Sequence, residues 1–227
     1  VLDQYRRVWT AWGLLAYAEH RKLFRHSRLT IVSDWDECRT EADIPCGSIS
    51  GMTAHLQNWV VRQGYVLPVE SGKLTDVHAK YYLAWRLGAL RSIGTWLSPN
   101  PSTHLNLARF GEQVADKLIG DIHDGTLSQD YEWPAALLKT IQRRLKPQPR
   151  RARELDAVRS RAGRLLPKDV WPELGLIGCW TGGSMGAYLR SFPEYFGDVA
   201  VRDLGLIASE GRMTFPIADS TPSGVLE

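Results

Sequence analysis

At 227 residues, with 44% hydrophobic side chains and nine tryptophans, the chain can bury a sizeable core without disulfides or a structural metal. No apolar run approaches the ~18 residues of a membrane-spanning helix, which sets that class aside. Cys38, Cys46 and Cys179 form no Cys-x-x-Cys pair, and an odd count without a signal peptide points to a reducing, cytoplasmic setting. The net charge of +3 is unevenly spread: residues 139–168 hold eleven Lys/Arg against Glu154 and Asp156, which gives +9 there and leaves −6 for the rest.

Apolar periodicity predicts a helix over residues 2–23, already amphipathic at its start (Val8, Trp9, Trp12, Leu15, Ala16). Residues 28–35, "RLTIVSDW", read as a buried strand ending in polar side chains. The Gly/Ser-punctuated stretch 45–68 reads as short strands and turns. A helix is expected over 76–90 and a strand over 91–98. A long helix follows within 99–125, with Pro101 and Ser102 near its start and Gly125 past its end. Two basic helices joined by "KPQPRR" come next, then a strand over 174–179, a helix over 185–196 and a strand over 199–209. This alternation predicts an α/β fold containing a parallel β-α-β unit at 174–209.

Between the last two strands stands "CWTGGSMGAY", residues 179–188, which holds a Gly-x-Ser-x-Gly match centred on Ser184. A hydrolase of that type needs its histidine after the serine in the chain, because the His loop follows the last strand. All six histidines precede Ser184, which removes it as a nucleophile within this chain. A ligand-binding loop explains more residues. Gly182 and Gly183, after one strand, let backbone approach a flat or anionic ligand. Ser209 and Glu210, placed at the end of the next strand, can meet a phosphate and hold Mg²⁺ through a hard oxygen. Ligands of open α/β sheets bind at such strand ends.

Residues 176–216, "LIGCWTGGSMGAYLRSFPEYFGDVAVRDLGLIASEGRMTFP", resemble the middle of the Gretchen Hagen auxin-responsive family of acyl acid amido synthetases, in its bacterial form. That family is similar in turn to the adenylate-forming, luciferase-like superfamily. "VSDWDECRTEADIPCGSISG", residues 32–51, and "KYYLAWRLGALRSIGTWLSPNPSTHLNLAR", residues 80–109, are similar to upstream family blocks. "DIHDGTL", residues 121–127, matches an Asp-Ile-x-x-Gly-x-Leu signature of the family.

The resemblance implies part of the large N-terminal domain of an adenylate-forming enzyme, with β-sheets flanked by helices. It places Thr181, Gly182, Gly183, Ser184 and Met185 in the loop along the adenine and the acyl pocket. It assigns Ser209, Glu210 and Gly211 to nucleotide binding, with Glu210 also the catalytic and Mg²⁺-binding group. Ser48 and Ile49 join Met185 as expected pocket residues. Leu206 stands where the family has a tyrosine, and Gly183 is an insertion relative to the plant pattern. The implied reaction uses ATP and Mg²⁺ to join an acyl acid to an amine or amino acid.

By the same resemblance, residues 1–227 are one incomplete α/β domain, with a phosphate loop expected before residue 1 and a lid domain after residue 227. Both ends read as cut, so the isolated chain is expected to be inactive. Two alternatives stay open: a non-catalytic remnant, and a nucleic-acid-binding module built on the basic segment. The absence of any aromatic side chain in 139–168 to stack a base argues against the second and for two solvated helices. The acidic run "DWDECRTE", with Asp34, Asp36, Glu37 and Glu41, fits no Ca²⁺-loop template and reads as a surface turn pairing with Arg39.

Overall fold

The computed structural model describes residues 2–208, 211–222 and 224–226. In chain order the helices are α1 Leu2–Glu19, α2 Ile49–His55, α3 Trp59–Gln63, α4 Val77–Gly88, α5 Pro101–Gln113, α6 Ala115–Asp124, α7 Ala135–Ile141, α8 Pro149–Ala162, α9 Pro167–Val170, α10 Gly186–Leu189 and α11 Phe192–Phe196. The strands are β1 Ser27–Thr30, β2 Cys38–Arg39, β3 Pro45–Cys46, β4 Ile93–Leu97, β5 Leu176–Gly178, β6 Ala200–Arg202, β7 Thr214–Phe215 and β8 Val225–Leu226.

The frame is a parallel four-stranded sheet in the order β1-β4-β5-β6. Its central strands are covered on both faces, and Ile93, Gly94, Thr95, Trp96 and all of β5 are buried. Strands in that position read as continuous apolar runs, because both faces meet helices. On one face α1 brings Trp12 and Ala16 against Leu176 and Leu204. On the other lies the main core around α4, in which every residue from Ala79 to Gly88 is buried.

Aromatic rings fill that core in fixed orientations. Trp85 stacks on Trp171 at 4.7 Å, and Trp96 meets Trp171 edge-on at 5.7 Å. Each of the two stacked indoles also donates to backbone: Trp85 to the Leu107 carbonyl at 2.7 Å and Trp171 to that of Gly88 at 3.0 Å. A buried indole left without an acceptor would cost about 1–3 kcal/mol, so these bonds fix ring positions as well as contributing area.

The signature at 121–127 is part of this scaffold. Asp121 accepts hydrogen bonds from the Tyr82 hydroxyl and the Thr126 hydroxyl, while its carbonyl accepts from buried Arg86 at 3.1 Å. Gly125, at φ +76°, ends α6 in the left-handed conformation. The signature thus joins α6 to α4 and turns the chain toward the basic helices.

Several expected elements differ in extent. The helix expected over 2–23 ends at Glu19 and continues as a 3-10 turn, Arg21–Arg25. The stretch 45–68 has only β3 as strand and otherwise forms α2 and α3, because its polar residues cap helices. Ser48 accepts from the Gly51 amide at 3.0 Å, and Asn58 from that of Val60 at 2.9 Å. The long helix breaks at Val114 into α5 and α6, and the helix at 185–196 is a 3-10 turn followed by α10 and α11. The strand expected over 199–209 stops at Arg202. Gly205 then reverses the chain at φ +79°, where a Cβ would collide with the Thr214 carbonyl oxygen.

Candidate functional site at the ends of two strands

The chain leaves β5 at Gly178 and is pinned at once. The Cys179 amide donates to the Arg202 carbonyl at 3.1 Å and the Trp180 amide to the Pro99 carbonyl at 2.9 Å. The Trp180 indole reaches the Gly205 carbonyl at 3.1 Å. Three strand exits, those of β4, β5 and β6, are thereby drawn into one edge.

Thr181 follows, and its partner is a carboxylate with no motif to mark it. Asp203 Oδ2 accepts both the Thr181 amide at 2.6 Å and the Thr181 hydroxyl at 2.7 Å. Oδ1 accepts the Gly205 amide at 2.6 Å. Asp203 is itself buried, at 4% exposure, and its carbonyl takes the Trp12 indole at 3.0 Å. Its position directly after the strand residues Val201 and Arg202 is the only signal in the sequence.

Beyond this clamp the loop opens. Gly182 has extended backbone, Gly183 sits at φ +59°, and the Met185 amide closes a 3-10 turn onto the Gly182 carbonyl at 3.2 Å. Gly183 and Ser184 are exposed, and nothing lies within 4 Å of a Cβ built on Gly183. A backbone of this kind, held at its base and bare at its tip, can meet a flat or anionic ligand with its own N–H groups. Cys179 beneath it is no nucleophile: burial, and then the nearby Asp203 charge, push its thiol up to about 12.

The remaining expected site residues divide. Ser209 and Glu210 lie outside the described residues. What the structure corrects is the extent of the strand expected over 199–209, since β6 ends at Arg202. The neighbours of Ser209 and Glu210 are tightly placed: Ala208 and Gly211 exchange backbone hydrogen bonds at 2.8 and 3.2 Å, and Ile207 pairs with Arg212 in an antiparallel bridge. Arg212 lies over the Trp9 ring at 4.6 Å and donates to the Leu204 carbonyl. Gly211 is therefore held against Ala208 beside the Asp203 loop and faces Gln4 of α1.

Ser48 and Ile49 stand at the exit of β1, two strands away from Met185 along the same edge of the sheet. The Ser48 amide donates to the Asp34 carbonyl at 2.7 Å. Ala54 of α2 and Gln57 just after it line a cavity of about 200 Å³ with Thr30, Val32 and Tyr65. A cavity of about 350 Å³ lies instead against Phe192, Gly197 and Val199, before β6, away from the 181–185 loop.

Several charged groups elsewhere are engaged with one another. In the basic segment, Arg164 binds Glu112 and Glu194, Arg159 binds Asp116, and Arg151 binds Glu154 and the Ala89 carbonyl. Arg39 pairs with Asp36 and Asp43, as expected for the acidic turn. Among the described residues, Glu19, His20 and Asp219 bring possible ligand atoms within 4.8 Å of one another. The buried Arg202 guanidinium already donates to both carboxylates, so a cation occupies that cluster in the form of a side chain.

Residues 2–201 match the profile of the GH3 family N-terminal domain. Among solved structures, the chain is similar to one described as GH3.15 acyl acid amido synthetase: TM-score 0.82 and 19% identity, covering 97% of this chain and 40% of that one. It is similar also to AtGH3.15 acyl acid amido synthetase in complex with 2,4-DB: TM-score 0.82 and 18% identity, covering 97% of this chain and 39% of that one. No curated protein matches the sequence. The chain thus spans about 40% of the length of the solved structures it resembles. No helix among the described residues is long and apolar enough to cross a membrane.

Proposed function

Because the chain belongs to the GH3 family, we propose that it carries the nucleotide- and acyl-binding edge of an ATP-dependent acyl acid amido synthetase. The observation that carries this reading is the Asp203 clamp on Thr181, which holds the base of the 181–185 loop and leaves its glycine tip free at the sheet's carboxyl edge.

In the proposed reaction an acyl acid carboxylate attacks the α-phosphate of ATP and pyrophosphate leaves. An amine then attacks the acyl carbon and AMP leaves, so no nucleophile of the protein takes part. Within this scheme the loop backbone at Gly182 and Gly183 lies along the nucleotide, and Met185 closes the acyl side. Asp203 positions the loop and takes no part in the chemistry, since its oxygens are filled by Thr181 and Gly205. By the family resemblance, Glu210, whose carboxylate is a hard oxygen donor, is the residue that would hold Mg²⁺. When bound, Mg²⁺ would neutralise negative charge on the ATP phosphates as the adenylyl group is transferred. We place the activity in the cytoplasm, on small molecules.

Isothermal titration with ATP and AMP in the presence of Mg²⁺ tests this, with Glu210→Ala as the variant and circular dichroism as the folding control. Saturable binding that a folded Glu210→Ala chain loses at least in part supports the assignment. Binding indifferent to that substitution, and to Gly183→Val, would place the nucleotide elsewhere and sink it.

A further inference from the structure

Two of the three cysteines, separated in sequence by a seven-residue stretch, are direct partners in space. Cys38 of β2 faces Cys46 of β3 in antiparallel register. Facing residues in such a pair have Cα atoms about 4.5–5.5 Å apart, inside the span of about 4.4–6.8 Å that a disulfide requires. The two side chains are in mutual contact as thiols, and all three cysteines are free.

The hairpin that sets this register is braced at both ends. At the tip, the Thr40 amide donates to the Ile44 carbonyl at 3.0 Å and the Asp43 amide to the Thr40 carbonyl at 2.9 Å. Asp43 itself adopts φ +59°, and Arg39 binds both it and Asp36. At the base, the Glu37 amide donates to the Cys46 carbonyl at 2.9 Å and the Ser48 amide to the Asp34 carbonyl at 2.7 Å. A slip of one residue would break both sets of bonds. Cys38 is exposed and Cys46 half-buried, so a small oxidant can reach the pair, whereas Cys179 is buried.

We propose that Cys38 and Cys46 form a reversible modification site, closing to an intrachain disulfide by exchange with a low-molecular-weight disulfide such as oxidised glutathione. The Cys38 thiolate attacks one sulfur of the oxidant, forming a mixed disulfide and releasing the first thiolate. Cys46 then attacks the Cys38 sulfur and expels the second. The protein loses two protons and two electrons, and the oxidant is reduced to two thiols. Desolvation, and then the adjoining Cys46 thiol, hold the Cys38 pKa above its ordinary value, so the first step gains speed as the solution becomes more alkaline. The closed bond would staple the hairpin one residue before Gly47 and two before Ser48, at the exit of β1. The proposal is independent of any reading of the 181–185 loop.

The test is incubation of the reduced chain with oxidised glutathione, quenching by alkylation, and intact-mass and peptide analysis. The expected result is loss of two hydrogens in mass, a peptide linking Cys38 to Cys46, and Cys179 alkylated only after denaturation. Cys46→Ser should instead accumulate a glutathione adduct on Cys38. Closure in the native chain should be faster than in denaturing urea at equal pH, by about tenfold or more, because the fold raises the effective concentration of one thiol at the other. Accumulation of glutathione adducts on the wild-type chain without the internal bond, a linkage involving Cys179, or equal rates in native and denatured chains would each overturn the proposal.

Discussion

Asp203 holds Thr181 through a single carboxylate oxygen, which accepts both the backbone amide and the side-chain hydroxyl of that residue at 2.6 and 2.7 Å. The two residues follow neighbouring strands, so the contact ties the exit of β5 to that of β6 and sets where the bare 181–185 loop begins. Removing the carboxylate with Asp203→Ala leaves the Thr181 amide and hydroxyl and the Gly205 amide without their acceptor. The expected loss of stability is about 3 kcal/mol, since hydrogen bonds to charged acceptors are the stronger kind and the stranded donors are poorly placed for water. Thr181→Val removes one of the bonds and should cost about 1 kcal/mol. Urea unfolding of both variants checks the ratio, and equal losses would mean that the hydroxyl bond, and not the clamp as a whole, dominates.

This clamp is also where the sequence is least legible. Strands β4 and β5 are readable because a parallel sheet covered on both faces writes a continuous apolar run. Helix α4 is readable from Asp76, whose carboxylate accepts the His78 amide at 2.8 Å at the helix start. The α/β class and the β5–β6 unit follow from that alternation, and the glycine loop after β5 is visible as a motif. Asp203 is not, because its meaning lies in a pairing with a residue 22 positions away. Residues 45–68 mislead for a local reason: Ser48 and Asn58 look like turn residues and serve as helix caps. The apolar residues after Arg202 likewise suggest a longer strand, but the left-handed turn at Gly205 overrides them.

Two glycines in consecutive helices should respond to alanine with opposite signs. A Cβ on Gly111 of α5 would fall on the buried Trp85 indole, whose nitrogen is committed to the Leu107 carbonyl and cannot retreat without breaking that bond. Gly111→Ala is therefore expected to destabilise by about 1–3 kcal/mol or more through overpacking. Gly120 of α6 is exposed, with nothing within 4 Å of its Cβ position, so Gly120→Ala should stabilise by about 0.5–1 kcal/mol through helix propensity. Thermal or urea unfolding of the pair reads both signs at once.

Arg202 is fully buried and binds Asp219 at 2.6 Å and Glu19, while His20 approaches Asp219 at 2.7 Å. The network joins α1 to the chain that follows β6. Its partners are unequal, because the Asp219 side chain is 22% exposed and that of Glu19 is 52%. Asp219→Ala strands a buried cation with one half-solvated partner and should cost about 3 kcal/mol, whereas Glu19→Ala should cost about 1 kcal/mol or less. Equal costs, measured by urea unfolding at one salt concentration, would show that water already screens the Asp219 pair.

His104 predicts an acid-labile fold. Its ring is completely buried beside Trp96, Phe192 and Phe196. Desolvation lowers its pKa from the ordinary value of 6.5 to about 4, against a smaller opposing effect of the Asn100 and Trp96 backbone. Between those values the unfolded chain binds a proton that the folded chain refuses, so the neutral ring's contribution is complete above pH 6.5 and is lost as pH falls toward about 4. From about pH 7 to pH 5 the wild type should lose about 2 kcal/mol more than His104→Leu, the variant serving to subtract the titration of the carboxylates. Urea unfolding of both proteins at the two pH values measures the difference. Parallel losses would mean that the ring takes up its proton in place, and hence that water or a carboxylate reaches it in the folded chain.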